Sequence, residues 1–407
     1  MDITQYQEML QREWEEYEDS VRQALAQNRK IVLYGAGLYG RKLLKRLRAS
    51  GMVVSAFAVT KVQYNLSEFS GLPVKSIDEL ISEKKSYFYL IAVKPASQKA
   101  IVRELTMRRI SDYLPLPEHA EELLDDTFFR PVMEITPRIG CSVNCHFCPQ
   151  PLLLHRYGSD HMRQREMTLA DFQRYIDKLP QDCIIDFSGF VEPFLAKDGL
   201  EMVKYAHESG RDVRLFTTLV GLTLEKFHEI EDIPFKLVVL HLPDVKGYAN
   251  IPMTEEYLRL LRYVVEKRRP DGSHFVDSAN CQCEPCPEVV KIINNRIMIS
   301  WDMVDRAGNL DDASLRSAKS IKGAIRCGRS LETNHNVLLP NGDVVLCCMD
   351  FGMTRILGNL KNRDYEEIIN GAALRAIVHK NGNGGDTLCQ KCTYARIMGG
   401  DALKNNL

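Results

Sequence analysis

Apolar positions recur with two different periods along this chain, and the period predicts each element. Within residues 1–28, apolar side chains return at three- and four-residue steps, which predicts a polar amphipathic helix at the N terminus. The run KIVLY then has the β-branched, apolar character of a buried strand. A glycine-rich turn and a second helical pattern follow it, so the chain opens with a helix and a strand–turn–helix unit.

The same alternation continues to about residue 120. Strand-like runs occupy 53–59 and 87–93, and Ser76 and Glu79 between them have the spacing of a helix N-cap and its capping-box partner. The pattern predicts a small βαβ domain of the Rossmann-like kind over residues 29–120.

A longer α/β region begins after residue 128. Short apolar runs such as DVRLFTTL and FKLVVLHL alternate with helical stretches such as TEEYLRLLRYVVEKR. Alternation of this kind predicts a parallel sheet covered by helices, with the chemistry at the carboxyl ends of the strands. The regularity fades near residue 312, and beyond it Asn341-Gly342 between two β runs predicts a hairpin.

Composition narrows the class of protein. The chain has 407 residues, enough for two or three domains, and 53 Lys and Arg balance 54 Asp and Glu. Nothing here favours a nucleic-acid partner. We expect no membrane span, because no run of about eighteen apolar residues occurs, and a cytoplasmic location, because the N terminus lacks a signal-peptide core. In a reducing compartment, twelve cysteines in clusters point to metal rather than disulfides.

Three cysteines crowd into eight residues. Cys141, Cys145 and Cys148 form a C-x3-C-x2-C run, too tight for one helix face, so they must line a loop around a common centre. A structural zinc site would want a fourth ligand. An iron–sulfur cube takes one ligand per iron, so three thiolates leave one iron open to another molecule. A zinc site or an inert thiol cluster is the alternative.

This run resembles the cysteine motif of the radical S-adenosylmethionine (SAM) superfamily, and Phe147 matches the aromatic residue before the last cysteine. The resemblance implies a partial (β/α)6 barrel over residues 128–312. It also implies a [4Fe-4S] cluster whose open iron chelates SAM, which an electron then splits into methionine and a 5′-deoxyadenosyl radical that abstracts hydrogen from a substrate.

The resemblance further implies SAM contacts at later strand ends. The stretch DFSGFVEPF is similar to the family's GGE-type motif, with Gly189 allowing close approach to SAM and Glu192 accepting from its ammonium group. At the next strand end, Leu219 departs from the Thr-Asn-Gly pattern of relatives. Arg306 is a candidate for the SAM carboxylate, with a surface salt bridge as the competing interpretation. The residues expected to contact SAM are Phe147, Ser188, Gly189, Glu192, Thr217 and Arg306.

Four later cysteines resemble the twitch or SPASM extension of such enzymes, here over residues 313–407. The resemblance implies an auxiliary [4Fe-4S] cluster on Cys327, Cys347, Cys389 and Cys392, and the short C terminus favours the single-cluster twitch form. Structural zinc on the same residues is the alternative. Cys348 could replace Cys347 as a ligand, although the glycine spacing favours Cys347.

Two further cysteine features receive no role. Cys281, Cys283 and Cys286 form a tight group that matches no known pattern, so we assign no cluster to them. Cys183 opens an apolar strand and is expected to be a core residue.

The glycine-rich turn contains a complete G-x-G-x-x-G with Gly35, Gly37 and Gly40, between a strand and a helix. A phosphate at that helix N terminus is physically sensible. The next strand ends in Thr60 and Lys61 instead of the acid that would bind an NAD ribose. The region resembles Rossmann modules of sugar-modifying enzymes, which implies a nucleotide or nucleotide-sugar ligand; a purely structural role stays open.

These features together predict a radical SAM oxidoreductase of the dehydrogenase or epimerase kind. The expected substrate is a carbohydrate or nucleotide-sugar, which would be oxidised, epimerised or subjected to elimination with help from the auxiliary cluster and a reductant such as flavodoxin or ferredoxin. A peptide-modifying maturase and a non-catalytic iron–sulfur carrier are the alternatives. Residues for acid or base catalysis cannot be chosen among Asp302, Asp305, His241 and Tyr257.

Overall fold

The computed structural model describes the chain as two compact units. The first comprises Met1–Asp126 with Pro270–His274, and the second comprises Thr127–Arg269 with Phe275–Leu407. The residues described are 3–61, 67–158, 164–294, 296–300, 306–310 and 320–398. Asp302 and Asp305 lie outside them. Among the helices of these residues, none combines the length and apolar character that a membrane crossing needs.

The first unit is built on a six-stranded sheet. Its strands are β1 (Lys30–Tyr34), β2 (Val54–Val59), β3 (Glu68–Phe69), β4 (Leu72–Ser76), β5 (Tyr87–Ile91) and β6 (Tyr113–Pro115). Its helices are α1 (Ile3–Ala26), α2 (Leu38–Ala49), α3 (Ile77–Leu80), α4 (Pro95–Met107) and α5 (Ala120–Leu123), with a 3-10 helix at Ile81–Ser86. The strand order is β3-β4-β2-β1-β5-β6, parallel except for β3. Its five parallel strands have the Rossmann-type order, which confirms the expected fold class.

Local signals of the first unit are confirmed. Ser76 caps α3 by accepting from the backbone N–H of Glu79 at 3.2 Å, and the Glu79 carboxylate accepts from the Ser76 N–H at 3.0 Å. Helix α1 buries its apolar stripe, including Trp14 and Val21. The guanidinium of Arg46 lies 4.1 Å from the Trp14 ring centroid.

The glycine-rich turn is shaped by close packing. Gly35 has φ of 126°, and a Cβ there would lie 2.6 Å from the Ala92 carbonyl oxygen. A Cβ on Gly40 would lie 2.1 Å from the carbonyl oxygen of Gly35. Gly37 is the N-cap of α2. The turn therefore requires Gly35 and Gly40 for its own geometry, and a nucleotide at this turn stays a prediction.

The second unit contains eleven strands in its described part. They are β7 (Val132–Ile135), β8 (Ile184–Phe187), β9 (Val213–Thr217), β10 (Leu237–Leu242), β11 (Ser278–Cys281), β12 (Ile299–Ser300), β13 (Ile325–Cys327), β14 (His335–Leu338), β15 (Asp343–Val345), β16 (Ile356–Asn359) and β17 (Ala395–Ile397). The helices are α6 (Gln150–Gly158), α7 (Leu169–Ile176), α8 (Gly199–Glu208), α9 (Leu224–His228), α10 (Glu255–Glu266), α11 (Pro287–Ile293), α12 (Tyr365–Ile369) and α13 (Ala372–Gly382). Three 3-10 helices lie at Pro193–Leu195, Arg306–Gly308 and Leu388–Lys391.

Strands β7 to β12 are consecutive neighbours and all parallel, which is the expected partial (β/α)6 barrel. One face of these strands is apolar: Met133, Ile185 and Leu215 are buried in one cluster with helix residues such as Phe172 and Leu261. Side chains alternate between the faces of a strand, so the residues between these apolar ones point to the opposite, inner face.

The C-terminal strands extend the barrel sheet. β14 pairs in parallel with β7, and Val337 of β14 lies opposite Glu134 of β7. β15 pairs antiparallel with β14, and β16 pairs antiparallel with β15 at the edge of the sheet. The predicted hairpin joins β14 to β15, with Gly342 at φ of 86°, and is confirmed. Local periodicity did not predict the pairing with β7, because that pairing joins segments about two hundred residues apart.

Candidate functional site

The loop of three cysteines leaves the carboxyl end of β7 and leads into α6. It turns sharply, with positive φ at Gly140 (99°) and Asn144 (43°). The Cys148 N–H donates to the Cys145 carbonyl at 3.0 Å. Strand ends are where a parallel barrel carries its chemistry, so the structure brings the three thiols to the expected edge of the sheet.

The three thiols lie close enough to affect one another. Burial raises the pKa of Cys145 to about 12, and charges on Cys148 and Cys141 contribute to the rise. Burial also raises the pKa of Cys148, with a smaller contribution from Cys141. Three mutually close, half-buried thiols on one loop fit the donor set of a cube with one open iron. Binding metal there must release the thiol protons.

A neighbouring loop after β10 supports the cysteine loop. The carbonyl of Tyr248 accepts from the His146 N–H at 2.6 Å, and the Asn250 N–H donates to the Val143 carbonyl at 2.7 Å. The Tyr248 ring stacks on His146 with centroids 4.8 Å apart and meets Phe147 edge-on at 5.6 Å. In this structure Phe147 therefore buttresses the loop; its contact with SAM stays a prediction.

Two glutamines that sequence reasoning missed act on cysteines of this loop. Gln150 donates to the Cys148 sulfur at 3.4 Å and also to the Phe190 carbonyl. A hydrogen bond from Gln282 opposes the rise in the pKa of Cys145. The only sequence signal was position, because Gln150 follows the motif by two residues and Gln282 follows a barrel strand.

The predicted Gly189 lies against the start of the cysteine loop. A Cβ at Gly189 would be 2.4 Å from both the Ile135 carbonyl oxygen and the Thr136 Oγ1. The Phe190 N–H donates to the same Thr136 hydroxyl at 2.9 Å. Glycine is therefore required for packing of the β8 loop on the β7 end, a reason independent of SAM.

Glu192 joins the loop after β8 to the end of β9. Its carboxylate accepts from the Thr217 hydroxyl at 2.7 Å, from the Thr218 N–H at 2.6 Å and from the Thr218 hydroxyl at 2.7 Å. Burial raises its pKa to about 6, although these hydrogen bonds lower it. Leu219, at the motif's glycine position, has φ of 65°, the left-handed conformation that glycine favours. Binding of SAM by Glu192 and Thr217 stays a prediction.

Charged residues line the inner face of the barrel, which sequence reasoning missed. Glu134, Asp186 and Arg214 are laterally paired neighbours on β7, β8 and β9. Arg214 lies 3.3 Å from Asp186, and Arg329 donates to Glu134 at 3.2 Å. Burial raises the pKa of Asp186, which Arg214 opposes. One charge inside each of three apolar strands was the signal that could have revealed this row.

His241 and Ser188 lie on the inner face nearer the carboxyl ends of their strands, and Arg306 belongs to a 3-10 turn whose charge acts on His241. Burial lowers the pKa of His241 to about 4, and the charge of Arg306 contributes. The described part of the chain gives the His241 ring no hydrogen-bond partner; its ring neighbour is Phe216, 6.3 Å away. Ser188 opposes the burial-driven rise in the pKa of Asp186. His241 is thus a neutral imidazole beside a cation.

The four later cysteines meet at one cavity. Cys327 ends β13, Cys347 follows β15, Cys389 lies in the 3-10 helix Leu388–Lys391, and Cys392 is the C-cap of that helix. All four line the same apolar cavity, together with Arg329 and others. The structure therefore brings together the residues that the resemblance implied as auxiliary ligands.

Strand pairing assembles this second site. β13 runs antiparallel to β17 with Cys327 opposite Ala395, whose N–H donates to the Cys392 carbonyl at 3.1 Å. Burial raises the pKa of Cys392 to about 12, and charges on Cys327 and Cys389 contribute. Four thiols around one apolar cavity fit a cluster with every iron ligated.

Cys347 and Cys348 point in different directions. Cys347 lines the cavity, whereas the Cys348 sulfur accepts from the Arg329 guanidinium at 2.9 Å. Burial raises the pKa of Cys348 to about 11; Glu134 adds to the rise, and Arg329 and Arg306 oppose it. This geometry supports Cys347 as the ligand.

The spacing of the cysteine thiols does not match the coordination of a single bound metal ion. Across the described ranges, no three His, Cys, Asp and Glu side chains stand together so that they could hold one metal ion.

The third group of cysteines, Cys281, Cys283 and Cys286, makes hydrogen bonds of its own. The Cys283 thiol donates to Asp244 Oδ1 at 3.0 Å, and the buried Cys281 thiol faces the carbonyls of residues 242 and 243. We assign no metal to Cys281, Cys283 and Cys286.

Comparison with known proteins identifies the C-terminal region. Residues 327–393 match the family model of SPASM, described as an iron-sulfur cluster-binding domain. The match begins at Cys327 and includes Cys392. It names SPASM rather than the twitch form; a single auxiliary cluster stays a prediction.

Two curated relatives share part of their sequence with this chain. The PqqA peptide cyclase of Bradyrhizobium diazoefficiens is 33% identical over 129 residues, 29% of this chain and 32% of its own length. The PqqA peptide cyclase of Rhodopseudomonas palustris is 31% identical over 103 residues, 25% of each chain. The chain thus aligns with about a third or less of these relatives.

Solved structures give weaker likenesses. BtrN in complex with AdoMet and 2-DOIA has a TM-score of 0.44 at 15% identity, covering 66% of this chain and 93% of BtrN. Streptococcus suis SuiB bound to its precursor peptide SuiA also scores 0.44, at 12% identity, covering 73% and 82%. The SPASM match and the two partial matches to PqqA peptide cyclase support the expected resemblance to radical SAM enzymes that carry a C-terminal SPASM domain.

Proposed function

We propose that this chain is a radical SAM enzyme that modifies a peptide. The observation that carries the proposal is the sequence match to two enzymes named PqqA peptide cyclase. The carbohydrate or nucleotide-sugar substrate expected from the first unit gains no such support. The proposed reaction is abstraction of hydrogen from a peptide carbon, followed by an oxidative change at that carbon.

The donor sets define what each site would hold. Cys141, Cys145 and Cys148 would hold a cluster with one open iron for SAM, and the four SPASM cysteines would hold an auxiliary cluster. When bound, the first cluster and SAM supply a 5′-deoxyadenosyl radical, and the auxiliary cluster accepts an electron.

The chain's own residues would orient and shield this chemistry. The hydrogen bonds of Tyr248 and Asn250 fix the cysteine loop, and Glu192 fixes the next strand end. The inner face holds buried charge pairs, Asp186 with Arg214 and Glu134 with Arg329, which make the interior of the barrel polar. A peptide segment with polar side chains suits such a surface better than an apolar ligand does.

The first experiment tests radical SAM chemistry itself. Protein reconstituted with iron and sulfide without oxygen, then reduced with dithionite or reduced flavodoxin, should cleave SAM to 5′-deoxyadenosine and methionine in equal amounts. Loaded clusters without cleavage under either reductant would instead support the electron-carrier alternative.

The second experiment decides the substrate class. Short synthetic peptides, each deuterated at one amino-acid type, and deuterated nucleotide-sugars are incubated in parallel with SAM. We expect deuterium in 5′-deoxyadenosine from at least one peptide set and none from the sugars. Transfer from a nucleotide-sugar alone would reverse the proposal and return the function to the carbohydrate class.

A further inference from the structure

An ion pair joins the barrel to the wall of the auxiliary cavity. The Nη2 group of Arg329 donates to Glu134 Oε1 at 3.2 Å, and Arg329 itself lines the cavity of the four auxiliary cysteines. Glu134 lies on β7, the strand that leads into the three-cysteine loop. The Glu134 side chain is 2% exposed and that of Arg329 is 24% exposed. Water therefore screens the charges of this pair poorly.

Two further contacts fix the Arg329 guanidinium beside the auxiliary cysteines. Its Nη1 group donates to the Cys348 sulfur at 2.9 Å, and Cys348 directly follows the proposed ligand Cys347. Its central carbon lies 5.3 Å from the ring centroid of Tyr394, which also lines the cavity. The Tyr394 N–H in turn donates to the Cys392 sulfur at 3.4 Å. The guanidinium thus contacts residues next to two of the four cysteines.

The backbone before Arg329 is also fitted to this position. A Cβ on Gly328 would lie 2.6 Å from the Tyr394 carbonyl oxygen, and the Gly328 N–H donates to that same oxygen at 2.9 Å. Glycine here lets two segments that bear auxiliary cysteines approach each other closely. Arg329 is therefore held by its backbone as well as by its side chain.

We propose that Arg329 is a positioning residue of the auxiliary site, a cation in the cavity wall that favours reduction of the cluster bound there. This inference rests on the proposed function, because it requires the four cysteines to hold a cluster. Reduction adds negative charge to a cluster, so a nearby cation stabilises the reduced state. Glu134 opposes that effect, because its carboxylate neutralises part of the guanidinium charge.

The two partners of the pair should therefore act in opposite directions. Without the guanidinium, the cavity wall loses a cation and the carboxyl group of Glu134 loses its partner, so reduction becomes harder. Without the carboxylate, the charge of Arg329 is no longer neutralised, so reduction becomes easier. Mere loosening of the structure gives no reason for the sign to reverse between these two changes. The pair thus separates an electrostatic role from a structural one.

The test measures the reduction potential of the auxiliary cluster in the reconstituted full chain. Redox titrations followed by electron paramagnetic resonance compare the unaltered protein with Arg329→Gln, Arg329→Lys and Glu134→Gln. Added SAM identifies the signal of the other cluster, because only a cluster with an open iron binds it. We expect Arg329→Gln to disfavour reduction about tenfold, which is a fall of ~59 mV for a one-electron couple. Glu134→Gln should raise the potential, and Arg329→Lys, which keeps the charge, should restore part of the fall.

The matched control is Arg355→Gln. Arg355 lies in the loop after β15, and its exposed guanidinium donates to the Thr354 carbonyl at 3.1 Å. Water screens this charge, so its removal should leave the potential unchanged. Shifts in the same direction in Arg329→Gln and Glu134→Gln, or potentials that do not move in either, would overturn the inference.

Iron content separates this inference from the proposed function. An unaltered chain that binds no auxiliary iron refutes the proposed function, whereas loaded chains with unmoved potentials refute only the role of Arg329. If Arg329→Gln fails to hold the cluster, Glu134→Gln still decides the question, because it leaves the guanidinium in place.

Discussion

The two groups of cysteines in the second unit present the same donor atoms but are built differently. Cys141, Cys145 and Cys148 lie within eight residues on one loop, held by neighbouring strand-end loops. The auxiliary cysteines come from three segments between residues 327 and 392, joined by the β13–β17 pair and the β14–β15 hairpin.

The difference shows how much long-range chain closure each site needs before its cysteines come together. The loop site needs little chain closure to form, because its ligands are local; the auxiliary site forms only after distant strands pair, at a larger entropic cost. Damage to a ligand should therefore be confined to chemistry at the first site and should spread to folding at the second.

The largest expected effect is loss of the loop site. Cys145→Ala leaves two thiolates for a cube that needs three from this loop, so about four irons per chain should disappear. SAM cleavage should fall below detection, well beyond the roughly 10–100-fold cost of losing an outer-shell partner. Iron analysis and chromatography of 5′-deoxyadenosine measure both.

Cys183→Ala is the matched control for that variant. Cys183 is fully buried immediately before the amino end of β8 and does not line the auxiliary cavity, so its loss should cost stability but neither iron nor SAM cleavage. Full iron content in Cys145→Ala, or its loss in Cys183→Ala, would contradict the ligand assignment.

The adjacent pair Cys347 and Cys348 gives the next largest effect. Cys347→Ala should remove the auxiliary cluster, again about four irons, while SAM cleavage continues without coupled product. Cys348→Ala should keep the iron, because the Cys348 sulfur accepts from Arg329 and does not line the cavity. If Cys348→Ala loses the iron and Cys347→Ala does not, the assignment is reversed.

Local features of this molecule were predictable from sequence. The capping box at Ser76 and Glu79, the β14–β15 turn at Asn341-Gly342 and the three-cysteine loop each depend on residues a few positions apart. Short-range spacing fixes such geometry through the backbone itself, so the pattern and the structure agree.

Features that join distant segments were not predictable. Pairing of β14 with β7 and the contact of Arg329 with Glu134 link residues about two hundred positions apart. The period of apolar residues along a strand does not show which distant strand will pair with it. The charge row Glu134, Asp186 and Arg214 left a signal in each strand, but only the register shows that the three are neighbours.

Substitution of Gly189 tests whether close packing of the β8 loop on the end of β7 holds the three-cysteine loop. Gly189→Ala places a methyl group 2.4 Å from the Ile135 carbonyl oxygen, which is backbone and cannot rotate away. We expect a loss of about 1–3 kcal/mol in free energy of unfolding and a drop in SAM cleavage. The control Gly382→Ala meets no atom within 4 Å and should leave both unchanged or slightly improved. Equal stability of the two variants would contradict the packing role.

The smallest expected effect concerns the charge on Glu192. Burial raises its pKa to about 6 from 4.5, although the hydrogen bonds from Thr218 and Thr217 lower it. The folded chain therefore keeps a proton that the unfolded chain has released, so this group stabilises the fold below pH 4.5 and that stability is lost as pH rises through 6. The difference amounts to about 2 kcal/mol.

Glu192→Gln imitates the protonated carboxyl and should remove this dependence. Relative to the unaltered chain, we expect the variant's free energy of unfolding in urea to gain about 2 kcal/mol between pH 4 and pH 7. The exposed Glu208→Gln is the control. A difference between variant and unaltered chain that stays constant with pH would mean that Glu192 titrates normally. The carboxylate that links the β8 loop to β9 would then ionise without a penalty from burial.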